Sequence, residues 1–206
     1  MKPVRIIIFT KAAQAGFTKT RLIPVLGKEG TANLAKKMLI HTLNQSLEAG
    51  VGPVEMCVTP PPSDPIWQEF TILGKFEYSD QGTGDLGERL SRVTQRIIDR
   101  GESLLLIGTD CTQLTATHLQ RAKEGLHNFD SILIPATDGG YVLFGLNFFH
   151  ASLFESIKWS TDTVYAETTE RLDTLGRTTK IFPSMNDIDE PKDLKFLPST
   201  WKEANY

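Results

Sequence analysis

Ser103-Leu104-Leu105-Leu106-Ile107-Gly108-Thr109-Asp110 is the stretch on which the fold turns. Four consecutive aliphatic residues between Ser103 and Gly108 have the unbroken apolar character of a central strand buried on both faces. Upstream, Val4-Arg5-Ile6-Ile7-Ile8-Phe9 has the same character, Val54 to Thr59 reads as a further strand, and Phe76 to Ser79 as a short one. Downstream, Ser131 to Pro135, Tyr141 to Leu146 and Thr179 to Phe182 complete the strand set. Helical periodicity fills the gaps. Residues 29 to 49 place Ala35, Leu39, Leu43 and Leu47 at i+4 spacing, with Gly50 as the stop. Asp85 opens a second helix with Leu86, Leu90, Val93 and Ile97 on one face and Arg89, Arg92 and Arg96 on the other; Gly101 closes it. Two more helices are expected, from about Thr115 to Leu126 and from about Asp162 to Leu175, and a short one starts at Pro191.

Strands alternating with amphipathic helices predict an α/β protein with a mixed, mostly parallel sheet and helices on both faces. The strands near 4–9, 104–108 and 131–135 are expected to be central and parallel. The tight turn Asp138-Gly139-Gly140 predicts that at least one strand runs antiparallel. With 206 residues and no internal repeat, the reading is one domain over 1–206.

Composition narrows the function. Lys+Arg 22 against Asp+Glu 25 gives a net charge of -3, which argues against binding nucleic acid or an anionic membrane through bulk charge. Two cysteines, Cys57 and Cys111, build neither a disulfide framework nor a four-thiolate zinc site. No stretch approaches the roughly 18 apolar residues of a membrane helix, and no signal-type segment opens the chain, so a cytoplasmic location is expected.

In an open α/β sheet, ligands bind outside the carboxyl ends of the strands. Four polar clusters fall there. The loop after the first strand holds Lys11, Gly16, Lys19, Thr20 and Arg21; Asp110 ends the central strand; Asp138 follows the next; Asp187 and Asp189 follow the last. Lys19 and Arg21, at i and i+2, suit a grip on one polyphosphate, or else belong to a solvated basic loop. On the first reading, Lys19→Ala leaves the ligand-free melting temperature unchanged. Asp110 is placed to hold a hard cation or to cap a turn. Asp85 is an N-cap, at a helix start that also offers free N–H groups.

In order, the chain carries Gly16-x-x-Lys19-Thr20-Arg21-Leu22, Gly84-Asp85-Leu86-Gly87-Glu88-Arg89, Gly108-Thr109-Asp110-Cys111 and Asp138-Gly139-Gly140-Tyr141. Trp159-Ser160-Thr161-Asp162 and Asp187-Ile188-Asp189-x-Pro191 follow. This ordered set resembles a bacterial family of small GT-A-fold transferases, generally labelled nucleotide-diphospho-sugar transferases or glycosyltransferases. That family is related to the guanylyltransferases of molybdenum cofactor and 2-phospholactate. The resemblance implies a three-layer α/β/α GT-A fold and a divalent metal, Mg²⁺ or Mn²⁺, on Asp110 and Asp189. It implies catalytic roles for Lys19 and Asp110, with Lys11 and Arg21 on the phosphates. Gly84 and Asp85 would border the nucleotide. Asp138, Gly139, Gly140, Trp159 and Asp162 would line the side of an unknown small acceptor. The implied partners are a nucleotide or nucleotide-sugar and that acceptor, with no nucleic acid and no membrane. The chain departs from the family's pattern at Ala13 and Ala15, where prolines are usual, at Thr112, also usually proline, and at Thr137, usually acidic. Many GT-A glycosyltransferases carry a second aspartate two residues before the metal-binding one, and Gly108 stands in that place. Nucleotidyl transfer is therefore marginally favoured over glycosyl transfer. The alternative is a non-catalytic nucleotide-binding or regulatory module on the same scaffold.

Overall fold

The computed structural model describes residues 2–202. Seven strands form one sheet: β1 (Val4–Lys11), β2 (Val54–Thr59), β3 (Glu77–Asp80), β4 (Ser103–Ile107), β5 (Ser131–Pro135), β6 (Tyr141–Leu146) and β7 (Thr179–Ile181). Their spatial order is β3-β2-β1-β4-β6-β5-β7. The β1 strand pairs in parallel with both β2 and β4, and β2 with β3. The β6 strand lies antiparallel between β4 and β5, and β7 pairs in parallel with β5. The antiparallel strand expected from Asp138-Gly139-Gly140 is therefore present.

One expectation needs correction. The β1 and β4 strands are central neighbours, but β5 is displaced to the place next to the edge. The apolar run Val142–Leu146 is buried throughout, and a strand with no exposed face is best placed with both backbone edges paired. It therefore takes the inner position beside β4 and pushes β5 outward.

Period-two alternation divides the core. Ile6, Ile8, Leu105 and Ile107 face one layer, where α1 (Ile23–Glu48) contributes Leu39 and Leu43 and α3 (Ala116–Gly125) contributes Leu119 and Ala122. Ile7, Leu104 and Leu106 face the other, against Leu90, Val93 and Ile97 of α2 (Leu86–Asp99) and Leu172 of α4 (Val164–Thr174). This is the three-layer α/β/α sandwich with a mixed, mostly parallel sheet that the sequence predicted. Gly27, at φ 69°, breaks α1 near its start, so the helix proper follows it, close to the expected residue 29.

The segment Pro65–Leu73, which no sequence signal marked, is a nine-residue 3₁₀ helix that buries Trp67 and Phe70 against the sheet. Among the described residues no helix is long and apolar enough to cross a membrane. At the end of the sheet where β1 begins, Arg5 pairs with Glu55 at 3.3 Å, Glu77 at 2.8 Å and Glu102 at 2.9 Å, and Arg96 of α2 closes on Glu55 from the other side. These charges are closed on each other. The opposite edge is where the chain turns both ways, to β2 on one side of β1 and, after β3 and α2, to β4 on the other. A crevice opens there.

Candidate active site

Two anchors build the floor of the crevice. After β1 the chain forms a polar loop that ends on Leu22, and after β7 it returns across the sheet edge through Ile188. Leu22 and Ile188 are fully buried in one small apolar cluster with Leu34 and Met38 of α1 and Leu197. Burying Ile188 leaves its neighbours Asp187 and Asp189 on the crevice wall. Burying Leu22 does the same for Lys19 and Arg21. The N–H of Ile188 donates to the carbonyl of Asp110 at 2.9 Å, which ties the returning segment to the end of β4.

Lys19 sits at the junction. Its backbone occupies the left-handed region (φ 46°), uncommon for a residue with a side chain. Its ammonium donates to the carbonyl of Ile188 at 2.6 Å and pairs with Asp110 at 2.7 Å and Asp189 at 3.2 Å. The side chain is only 6% exposed. Burial alone would lower its pKa, but the carboxylates of Asp110 and Asp189 more than offset that and hold the ammonium protonated. Lys19 is thus neither a solvated loop residue nor a free clamp, and its removal will be felt by the ligand-free fold. Asp110 and Asp189 do meet at a common point, with the ammonium between them.

The crevice has a volume of about 760 Å³, within the roughly 300–1,000 Å³ of small-molecule sites. Asp110, Asp138, Asp162, Asp187 and Asp189 line it, against Lys11, Lys19, Arg21 and Arg89. Five carboxylates crowd against four cations, which leaves no surplus of positive charge. Asp187 registers this: burial and the carboxylates of Asp110, Asp138 and Asp189 push its pKa up to about 8, with Lys19 opposing. Lys11 and Arg21 are exposed on the wall.

The other expected residues divide. Asp138 and Asp162 line the crevice; Gly140 and Trp159 line a smaller adjoining cavity with Asp138. Gly84, Asp85 and Gly139 lie outside the lining of both and have positioning jobs. Asp85 caps α2 by accepting from the N–H of Glu88 at 2.9 Å, while Glu88 accepts from the N–H of Asp85 at 2.8 Å. Gly84, at φ 104°, gives its carbonyl to Arg89, and a Cβ there would lie 2.2 Å from the Glu88 carboxylate. Gly139, at φ 96°, packs so closely under Asp162 that a Cβ would stand 2.2 Å from its carbonyl oxygen.

Three lining residues escaped the sequence reading: Gln81, Arg89 and Phe17. Gln81 is buried, and its amide donates to the carbonyls of Thr10 and Cys57 at 2.8 and 3.0 Å, locking the ends of β1 and β2 to the loop before α2. Arg89 stands at the end of the Gly84–Arg89 motif but was read as part of a charged helix face, with no role at the site. Its place one turn into a helix whose first residue, Leu86, lines the crevice was the available signal. Phe17 is 75% exposed at the crevice.

Among the described residues no group of three or more His, Cys, Asp or Glu side chains forms a ready metal cage. The donor set nevertheless fits Mg²⁺ or Mn²⁺, hard ions; Mg²⁺ is commonly held by one or two carboxylates, with water and substrate phosphates filling the other positions. Asp110 and Asp189 are two such carboxylates, gathered around a positive charge.

The comparisons with known proteins bear on the fold and the family. A crystal structure from Desulfovibrio desulfuricans, provisionally named a nucleotide-diphospho-sugar transferase, is 29% identical. It superposes with a TM-score of 0.87 over 99% of this chain and 90% of its own. A synthetase of CMP-2-keto-3-deoxy-manno-octonic acid, solved with CTP, shares the fold at 12% identity and a TM-score of 0.58, over 98% of this chain and 99% of its own. Rv0371c of Mycobacterium tuberculosis, solved with manganese, does so at 16% and 0.56, over 96% and 100%. The architecture is that of the GT-A-fold nucleotide-diphospho-sugar and nucleotidyltransferase-like proteins. No curated protein matches the chain. A family model described as "Uncharacterized protein conserved in bacteria (DUF2064)" matches residues 42–161, more than half of the chain, and the protein belongs to that family.

Proposed function

We propose that this protein is a divalent-metal-assisted transferase acting on a nucleoside triphosphate or nucleotide-sugar, with nucleotidyl transfer the better fit. The observation that carries the reading is the convergence of Lys19, Asp110 and Asp189 on one point of a crevice whose wall also bears Arg89 and the exposed Lys11 and Arg21. A crevice with no surplus of positive charge holds a polyphosphate poorly unaided, so an added cation is the natural companion of the ligand. Asp110 and Asp189 would hold that metal, which would neutralise charge developing on the phosphates.

The chain's own residues would do the rest. Arg21 and Lys11 bind phosphate oxygens, and Lys19 supplies a third positive charge at the carboxylate end of the crevice. In nucleotidyl transfer an oxygen of the acceptor phosphate forms a bond to the α-phosphorus. The bond from that phosphorus to its bridging oxygen breaks, and pyrophosphate leaves with the electron pair. Arg21 and Lys11 are placed for the leaving pyrophosphate, while Asp138 and Asp162 face the acceptor side. Gly108 in place of a second aspartate favours this chemistry over glycosyl transfer, as would the kinship to the guanylyltransferases of molybdenum cofactor and 2-phospholactate that the sequence resemblance implies. The name of the Desulfovibrio relative is what supports glycosyl transfer. A purely regulatory module would be free to lose Lys19 or Asp110, and both are present.

The test is a thermal-shift screen of nucleoside triphosphates and nucleotide-sugars with Mg²⁺ or Mn²⁺, repeated on Arg21→Ala. A ligand at a hundredfold its dissociation constant stabilises by about 2.7 kcal/mol. Arg21→Ala should keep the ligand-free melting temperature and weaken that ligand at least tenfold. A screen in which no nucleotide moves the melting temperature, or an Arg21→Ala protein that binds like wild type, overturns the proposal.

A further inference from the structure

Beside the crevice lies a second cavity, of about 210 Å³, that shares Phe9, Leu86, Gly108, Asp138, Ser160 and Thr161 with it. Its deeper wall is different in kind: Leu90, Leu106, Val142, Trp159 and Val164. The volume is below that of sites enclosing a drug-sized ligand, so it suits part of a molecule whose other end lies in the main crevice.

Three features show that this wall is built. Leu86, Leu90, Val93 and Ile97 form one helical stripe, of which the last three are at most 6% exposed, whereas Leu86, at the cavity mouth, is 36% exposed. Trp159 is seated against the first turn of α2 only because residue 87 is glycine: a Cβ there would stand 2.7 Å from the indole nitrogen and 2.4 Å from the carbonyl of Phe154. Tyr141 also lines the cavity, and its hydroxyl is buried with no hydrogen-bond partner. Burial raises the pKa of that hydroxyl, so it remains a donor. A buried polar group without a partner is costly, and one carried by a residue that lines a cavity can be satisfied by a ligand seated there.

We propose that the acceptor is the monophosphate of a short apolar or aromatic alcohol, its body seated among Leu86, Leu90, Trp159 and Val164 and bearing one oxygen that accepts from Tyr141. The proposal rests on the transferase reading for the role of the phosphate end, which lies toward Asp138 and the main crevice. A sugar phosphate is the poorer fit because its several hydroxyls would face Leu90, Leu106, Val142 and Val164, whose side chains offer no hydrogen-bond partner, and each buried unpaired hydroxyl is penalised.

The experiment is isothermal titration of the full chain with benzyl phosphate, with glycerol 3-phosphate, and with the three methoxybenzyl phosphate isomers. Wild type should bind benzyl phosphate at least tenfold tighter than glycerol 3-phosphate. Leu86→Asp, a change at a half-exposed helix start that tolerates acid, should bring the two phosphates to nearly equal affinity. At least one methoxy isomer should bind tighter than benzyl phosphate and lose its margin in Tyr141→Phe, whose ligand-free melting temperature should not fall. Equal binding of benzyl and glycerol phosphates, or a preference that survives Leu86→Asp, overturns the apolar subsite. A set of isomers with no gain overturns the Tyr141 contact. A protein that binds nucleotide but shows no benzyl preference fails this inference alone. One that prefers benzyl phosphate but binds no nucleotide fails the transferase reading, and the acceptor role falls with it.

Discussion

Replacing Lys19 with methionine keeps the apolar stem and removes the ammonium between Asp110 and Asp189. Breaking a well-buried ion pair by deleting one partner costs about 3–5 kcal/mol. Here the lysine is 6% exposed, but Asp110 and Asp189 are 49% and 41% exposed, so water recovers part of the loss. We expect about 2 kcal/mol after that screening. In a protein of this size each kcal/mol moves the melting temperature by about 2–4 °C, so the drop should be roughly 4–8 °C. The more discriminating readout is metal without nucleotide. In the variant the two carboxylates face each other with nothing between them, and Mn²⁺ at tenfold its dissociation constant should return about 1.4 kcal/mol. Wild type should gain less, because the ion must first displace an ammonium already held by both acids. The assay is differential scanning fluorimetry of both proteins across a Mn²⁺ titration. An unchanged melting temperature for Lys19→Met, or equal stabilisation of the two proteins by Mn²⁺, would refute the bridging role.

Gly139→Ala should cost more than about 2 kcal/mol in chemical denaturation, because the new methyl meets the Asp162 backbone and the residue must hold φ 96°. A Cβ at Gly108 meets nothing within 4 Å, so Gly108→Asp should fold and bind Mn²⁺ more tightly than wild type by equilibrium dialysis. Glu55 is 1% exposed; burial alone would raise its pKa, but Arg96, Ser79 and Arg5 together bring it below the usual 4.5. Its stabilisation is therefore present above pH about 4.5 and lost as pH falls through the lower folded-state value. Melting temperatures measured from pH 7 to pH 3 should show that acid loss, and Glu55→Gln should shrink it while costing about 3–5 kcal/mol at pH 7.

What was legible in the sequence was whatever depends on short-range pattern. The aliphatic runs of β1 and β4 announce a doubly covered sheet, and Leu90, Val93 and Ile97 announce the face of α2. The Asp138-Gly139-Gly140 turn announces a reversal, though not that β6 would take the inner place and move β5 outward, since strand order depends on competition among all the edges. The 3₁₀ segment Pro65–Leu73 was hidden because a three-residue turn gives no sustained apolar stripe. At the site, the types of residue were readable and their pairings were not. Lys19 looked like a basic loop residue because its partner Asp189 lies 170 positions away. Gly84, Asp85 and Gly139 stood within motifs that border the crevice. The cap at Asp85 is legible in the sequence, whereas the close approaches at Gly84 and Gly139 become visible only when Glu88 and Asp162 are in place.

The return of the chain through Ile188 has a consequence for the order in which the molecule is made. A nascent chain that has reached Ile181 already contains all seven strands and the four principal helices. It lacks Asp187 and Asp189, and it lacks the buried Ile188 that fastens the loop end at Leu22 to α1. At that stage Lys19 has Asp110 alone for a partner. The scaffold is thus finished before the ligand-binding edge, by the time needed to synthesise a few more residues. Truncation at this point would separate the two, giving a chain able to form the sheet but deprived of half of its carboxylate pair.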